Sequence, residues 1–410
     1  MRNYQELLDK LAEVAVRVGL NLQRGQELVV TAPIEALPLT RRITERAYGA
    51  GAKMVTVLYS DDAATLARYQ YAPKETFDYA PTWLYQAMAE AYASGAARLA
   101  ISGQNPALLR GQDPDLISRA GKAQSIASKR ALELITGFHI NWSIVSYASP
   151  AWARMVFPDL PQGEAVEKLW EAIFKASRLD NDDPVAAWAQ HNADLHARVE
   201  FLNDKRYAAL HFRGPGTDLE VGLADDHLWS GGAAPAKNGV VCNPNIPTEE
   251  VFTTPHKDRV EGYVRSSKPL AYQGSLLEGI RVRFEGGRIV EATAEAGEDI
   301  LRQLLETDEG ARRLGEVALV PHSSPIAQTG ILFYNTLFDE NAASHIALGQ
   351  AYSECVRGGD RMSPEELAAK GANSSLIHVD WMIGSSEVDV DGITPSGQAE
   401  PLMRGGEWVR

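Results

Sequence analysis

Glu27-Leu28-Val29-Val30-Thr31 is a short apolar, β-branched run, and Met54-Val55-Thr56-Val57-Leu58-Tyr59 repeats its character 27 residues later. Runs this short, bounded by Gly and polar residues, read as strands, the first of them buried. Before the first, Leu7, Leu8, Leu11, Val14, Ala15 and Val18 recur at three- and four-residue steps, with Asn3 placed to cap a helix and Gly19 to stop it. Between the runs a second helix is expected over 39–48, stopped by Gly49 and Gly51. Helix, strand, helix, strand predicts a parallel sheet covered by helices. Arg98-Leu99-Ala100-Ile101-Ser102 and residues 140–147 continue it.

Further along, Val166, Leu169, Trp170, Ile173 and Phe174 line one face of a helix over 164–177, and an acidic turn at Asp180-Asn181-Asp182-Asp183-Pro184 leads to another over 185–202. From Tyr207 the character changes to short strands punctuated by glycine, over 207–212 and 218–223. A hairpin joins 280–284 to 288–293 around Gly286-Gly287. The expected organisation is an N-terminal α/β domain with a mostly parallel sheet over 1–195, then a β-rich α+β domain over 196–410.

The chain of 410 residues carries 40 Lys+Arg against 54 Asp+Glu, a formal net charge of −14. Residues 1–200 hold 21 basic and 23 acidic side chains (−2), which leaves 19 and 31 (−12) for residues 201–410. Without clustered Lys and Arg, such a chain is a poor polyanion binder, so nucleic acid is not an expected partner. No apolar run reaches the ~18–20 residues of a membrane span. Met1-Arg2-Asn3-Tyr4-Gln5-Glu6 leads into a helix pattern, not a signal peptide. Two cysteines, Cys242 and Cys355, are too few for a disulfide framework, and a cytoplasmic location is the expectation.

Four segments of the acidic half bring carboxylates close to His or Tyr. In Ile377-His378-Val379-Asp380-Trp381 a strand would project His378 and Asp380 from one face, as two corners of a metal site or as a hydrogen-bonded pair at a strand edge. In Asp339-Glu340-Asn341-Ala342-Ala343-Ser344-His345, Asn341 or Ser344 is placed to start a helix. His345 and Tyr352, seven apart, would then share a stripe, with Glu340 just before it. Glu249-Glu250 lies in an extended run between Pro247 and Pro255, so one carboxylate can serve a site while the other is solvated. Glu316 opens an apolar strand after Gly315, which is placed to stop a helix. Carboxylates and imidazoles without thiolates suit Zn²⁺, Mn²⁺ or Co²⁺. Three or four carboxylates with two histidines exceed one tetrahedral ion and match two ions about 3.5–4 Å apart.

At these segments the chain resembles the thermophilic aminopeptidase T / staphylococcal aminopeptidase S family of dinuclear metallo-aminopeptidases. The resemblance runs from Arg17-Val18-Gly19-Leu20 to Trp381-Met382-Ile383-Gly384. It is densest over 242–253, 309–320, 337–345 and 378–385. It selects Glu250 over Glu249 and implies Glu250, Glu316, His345, His378 and Asp380 as metal ligands, with Glu340 and Tyr352 at positions associated with the site. It further implies peptide substrates cut at the N-terminal residue with broad preference, two divalent ions per chain (Zn, Co or Mn), and a homodimer. A water bridging the ions would attack the scissile carbonyl. Glu316 first and Glu250 second would shuttle its proton, and Tyr352 would donate to the oxyanion or ligate a metal.

Two other readings remain open on the sequence: a metal-free binding protein with a degenerate hydrolase half, or a metal-dependent amidase or dipeptidase. The other histidines (His139, His191, His196, His211, His227, His256 and His322) read as structural or surface groups. Neither cysteine has the context of a nucleophile, and no phosphate loop surrounds the glycines of 212–216 or 230–232.

Overall fold

The computed structural model describes residues 3–272 and 275–409. The chain folds into two compact units, one of residues 1–190 with 233–247, the other of 191–232 with 248–410.

In the first unit, strands β1 (Glu27–Pro33), β2 (Met54–Ser60), β3 (Ala97–Ser102) and β4 (Trp142–Ser146) form a parallel sheet in the order β2-β1-β3-β4. Helices α1 (Tyr4–Val14) and α2 (Leu37–Gly49) bury Leu8, Leu11, Leu39 and Ile43. The expected cap at Asn3 makes no side-chain bond, and the turn ending at Gly19 is π-helical. Helices not anticipated from the pattern follow: α3 (Asp62–Tyr71), α4 (Thr82–Ala93), α5 (Pro114–Thr136) and α6 (Pro150–Val156). Tyr92 of α4 and Ala131 and Ile135 of α5 pack with Val29 and Ile140 in one core cluster. Helix α7 (Gln162–Ala176) buries the predicted face, with Trp170 stacked 4.8 Å from Phe174 and edge-on to Tyr4 at 5.5 Å. Helix α8 (Pro184–Lys205) begins in this unit, and its residues from 191 onward belong to the second. The return segment adds a two-stranded antiparallel ribbon, β7 (Ala234–Pro235) with β8 (Val241–Cys242).

The second unit is built on β5 (Ala209–Gly214), β6 (Thr217–Leu223), β9 (Val251–Thr253), β10 (Pro255–Arg265), β11 (Leu270–Tyr272), β12 (Ser275–Leu277), β13 (Arg281–Glu285), β14 (Arg288–Thr293), β15 (Leu314–Leu319), β16 (His345–Gly349), β17 (His378–Met382), β18 (Asp389–Ile393), β19 (Ala399–Arg404) and β20 (Glu407–Trp408). Three short helices, α9 (Glu298–Leu305), α10 (Thr336–Asp339) and α11 (Pro364–Ala369), lie between them. One antiparallel sheet runs β14-β13-β10-β6-β5-β18-β19-β20, a second runs β17-β16-β15-β9, and β11 pairs with β12. The expected hairpin is β13–β14, with both turn glycines at positive φ.

The smaller sheet positions the site. Its register sets Ala318 opposite His345, Ala347 opposite Asp380, and Gly349 opposite His378. Alternation then divides the side chains into two faces. Val317, Leu319, Ile346, Leu348, Val379 and Trp381 join the apolar core with Leu210, Phe212, Val282 and Phe284 of the larger sheet. Glu316, His345, His378 and Asp380 project from the other face. Gly315 is the extra residue of a bulge between Leu314 and Glu316, so it lies inside the strand and ends no helix.

The helix expected to carry His345 is strand β16. Ile346-Ala347-Leu348 is buried on both faces between β15 and β17, and a continuous apolar run of that kind has no period to separate helix from strand.

Gly349 is the tightest point of the face. Its φ is +103°, and a Cβ there would lie 2.1 Å from the Ile377 carbonyl oxygen, beside the strand that carries His378. Gly349→Ala should cost roughly 1–3 kcal/mol and lower the unfolding temperature of the metal-free protein by roughly 2–10 °C. Gly121→Ala on α5, which would meet nothing within 4 Å, should be neutral or stabilising. Thermal melts of the two variants side by side check both.

Candidate metal centre

Glu316 is central to the face, buried at 4% exposure, with a different imidazole against each of its oxygens. Oε1 lies 3.6 Å from His345 Nε2, and Oε2 lies 3.3 Å from His378 Nε2. Glu250 enters from the residue before β9, where the strand alternation turns it toward the same face. Its Oε2 is 3.2 Å from His345 Nε2. Asp380 Oδ1 is 3.3 Å from His378 Nε2, so the His–Asp pair two apart on one strand forms as expected.

Two triads of ligand atoms result, Glu250–Glu316–His345 and Glu316–His378–Asp380, each with its atoms within 4.8 Å of one another. Glu316 belongs to both. The backbone orients the two rings: His345 Nδ1 lies 3.1 Å from the Ala343 carbonyl oxygen, and His378 Nδ1 lies 2.7 Å from that of Gln350. A carbonyl only accepts, so each Nδ1 carries the proton and each Nε2 is turned to the carboxylates, as metal-binding imidazoles require.

Glu340 reaches the centre without the sheet. It starts the 3₁₀ turn Glu340–Ala342 that follows α10, outside both triads but in the field of Glu250, Asp380 and Glu316. Tyr352 lies in the loop beyond β16, so it shares no helical stripe with His345. Its ring is 4.8 Å from that of His378 and edge-on to Phe252 at 5.9 Å. Thr254 anchors it by donating its hydroxyl to the Tyr352 carbonyl at 3.0 Å.

Burial and like charge act together on these groups. Burial raises the Glu250 carboxyl, and Glu316 and Asp380 add to the rise against the pull of His345. Glu340 is driven well above the usual carboxylate range by burial, then by Glu250 and Asp380. Burial also opposes ionisation of Glu316, but its bonds to His345 and His378 outweigh that and hold it low. Burial disfavours a charged His378, yet Asp380 and Glu316 prevail and push it up to about 11. Four carboxylates and two imidazoles, of which Glu250, Glu316 and His345 are buried and the others half-buried, therefore compete for protons in one patch, and divalent cations fit that donor set.

Glu249 is not part of either triad; it lies at the opposite side of the strand alternation from Glu250, with its Oε2 3.7 Å from His191 Nε2. His191 also meets the Thr248 carbonyl at 2.8 Å. His211 has a carboxylate partner that the sequence did not indicate, Asp218 at 2.6 Å across the β5–β6 pair. His256 accepts the Asp258 N–H at 3.1 Å. None of these histidines enters a triad. Both cysteines are buried and free.

The profile of the thermophilic metalloprotease (M29) family matches residues 4–408. Aminopeptidase T of Thermus aquaticus is 59% identical over 409 residues, with 100% of each chain covered. Aminopeptidase 2 of Geobacillus stearothermophilus is 50% identical, covering 100% of this chain and 99% of its own. The solved structure of wild-type AmpT from Thermus thermophilus superposes with a TM-score of 0.95 at 57% identity, covering 99% of this chain and 100% of that one. With a profile matched across nearly its whole length and relatives this similar, the chain belongs to the thermophilic metalloprotease family M29.

Proposed function

We propose that the second unit is the catalytic domain of a dinuclear metallo-aminopeptidase, with Glu316 as the ligand shared by its two ions. The chain is a metal-dependent hydrolase of the aminopeptidase class. The observation that supports two ions is the membership of Glu316 in both triads, one oxygen to each. Glu250 and His345 would complete one ion's set, and His378 and Asp380 the other's. Glu340 would join from the side once the charge on its neighbours is neutralised.

When bound, the two divalent ions supply an acidified water, a polarised scissile carbonyl and a docking point for the substrate's free α-amine. Both Glu316 oxygens are turned to the triads, so the proton relay is assigned to Glu250, whose Oε2 alone faces His345. There it would take a proton from the attacking water and return it to the leaving amine. Although Tyr352 as a whole is 38% exposed, withdrawal of its phenol from water and then the field of Glu316 and Asp380 hold its proton well above the ordinary range. It is assigned as the hydrogen-bond donor to the developing oxyanion. The Nδ1–carbonyl bonds keep both imidazoles fixed through the cycle.

The requirement for a free amine separates an aminopeptidase from an amidase, and broad preference at the first residue follows the family likeness. Zn²⁺, Co²⁺ and Mn²⁺ all suit the oxygen and nitrogen donors. The two buried thiols suit a reducing cytoplasm, and no helix among the described residues is long and apolar enough to cross a membrane. A homodimer is part of the same proposal, on the family likeness.

Chelator treatment should abolish release of p-nitroaniline from leucine p-nitroanilide, and Zn²⁺, Co²⁺ or Mn²⁺ should restore it. N-acetylleucine p-nitroanilide should stay intact throughout; its cleavage would mark an amidase. His345→Ala and His378→Ala should each lose at least about 10²-fold in activity together with bound metal, and full turnover by either variant after chelation would contradict the assignment. Tyr352→Phe should keep its metal while kcat falls roughly 10²–10³-fold, read from steady-state kinetics alongside elemental analysis.

A further inference from the structure

Five of the six proposed ligands have their spacing set by one sheet. Glu316, His345, His378 and Asp380 sit in paired strands, and Glu250 is one residue from β9. Glu340 has no such constraint: it starts a 3₁₀ turn. The ladder itself runs out on the other side of the centre, because β9 pairs with β15 only from Val251 to Thr253. Glu249 and Glu250 precede that pairing, so the Glu249 N–H needs a partner from elsewhere.

That partner is the side chain of Asn341, fully buried at 0% exposure. Its Oδ1 accepts the Glu249 N–H at 2.7 Å. Its Nδ2 donates to the Leu337 carbonyl in α10 at 3.0 Å and leans toward Glu340 Oε1 at 3.4 Å. The Asn341 carbonyl accepts the Ser324 hydroxyl at 2.9 Å. On the other flank of Glu340, the carboxylate of Asp339 accepts the N–H groups of Phe333 and Asn335 at 2.7 and 3.0 Å. One amide thus joins the backbone beside Glu250 to the turn that carries Glu340.

The geometry points to Asn341 as a positioning residue that fixes Glu340 relative to Glu250, so that Glu340 joins the ion held by Glu250 and His345, and thereby sets the affinity of that ion. It replaces the missing ladder bond and holds both segments at once. Asparagine suits the task because its side chain offers an acceptor and a donor together. With no path to solvent, a lost partner on either side leaves a buried group unsatisfied. The inference rests on the two-ion proposal and adds to it a residue that touches neither metal nor substrate.

The test is competition for Zn²⁺ between the full-length chain and a chromophoric chelator, for wild type, Asn341→Ala, Asn341→Ser and Asn341→Asp, with thermal unfolding of the metal-free forms. Asn341→Ala should weaken one of the two bound ions by about 10–100-fold and leave the other within a few-fold. Amide exchange at Glu249 should quicken in the same variant. Asn341→Asp keeps the acceptor for Glu249 but loses the donor to the Leu337 carbonyl and Glu340, so it should restore slow exchange at Glu249 while the affinity of that ion stays weakened. Should the alanine variant fail to fold, Asn341→Ser, polar but too short to span both segments, should show the same selective loss. Two ions bound at wild-type affinity in a folded Ala or Ser variant would overturn the inference, and so would equal weakening of both ions. Asn141→Ala is the control: it removes a buried amide of the first unit, bonded to the Leu20 carbonyl at 2.8 Å, and should leave both affinities unchanged. A wild type that binds no Zn²⁺ would instead refute the two-ion proposal itself.

Discussion

A carboxylate buried in the middle of a sheet needs partners for both oxygens, and Glu316 finds them in two different histidines. That constraint organises the rest. His345 and His378 must come from strands on the same side of Glu316, so β15, β16 and β17 must pair in the register they adopt. Each ring must present Nε2, so the carbonyls of Ala343 and Gln350 must face Nδ1. Small residues must stand between the ligands, and Ala318, Ala347 and Gly349 do. The bulge at Gly315 sets Glu316 on the site face while Leu314 stays in the core.

Electrostatics supplies the second half. Glu250, Glu316, Glu340 and Asp380 contribute four negative charges to a patch with two imidazoles. Taken alone, such a group is unstable: the carboxyls of Glu250 and Glu340 rise, and both imidazoles take protons. Divalent cations relieve the conflict without protons and leave the imidazoles neutral. The acidity of the second half of the sequence, −12 of the −14, is concentrated in part where cations are required.

Much of this was legible in the residues. Alternation of helix and strand gave away the parallel sheet, Gly286-Gly287 the hairpin, and the His378–Asp380 spacing a shared strand face. The environment of His345 was not legible locally. Ile346-Ala347-Leu348 is short and apolar on both faces, so the pattern admits helix and strand alike, and only the neighbours β15 and β17 decide. Glu340 is harder still, because a 3₁₀ turn has no period and its position depends on Asn341, an amide whose partner Glu249 is 92 residues away. The helices between β2 and β4 carry exposed Trp83, Tyr71 and Ile126, which blurs the contrast between faces on which a helix prediction depends. The return of residues 233–247 to the first unit rests on distant bonds such as Asn243 N–H to the Gly19 carbonyl at 2.9 Å, with no local signature.

The role of Glu316 is tested most directly by diffraction from crystals of the zinc-loaded protein, with data collected on either side of the zinc absorption edge. Two anomalous peaks about 3.5–4 Å apart, with one Glu316 oxygen on each, are the predicted result. A single peak, or two peaks with Glu316 bound to one of them alone, would contradict the account.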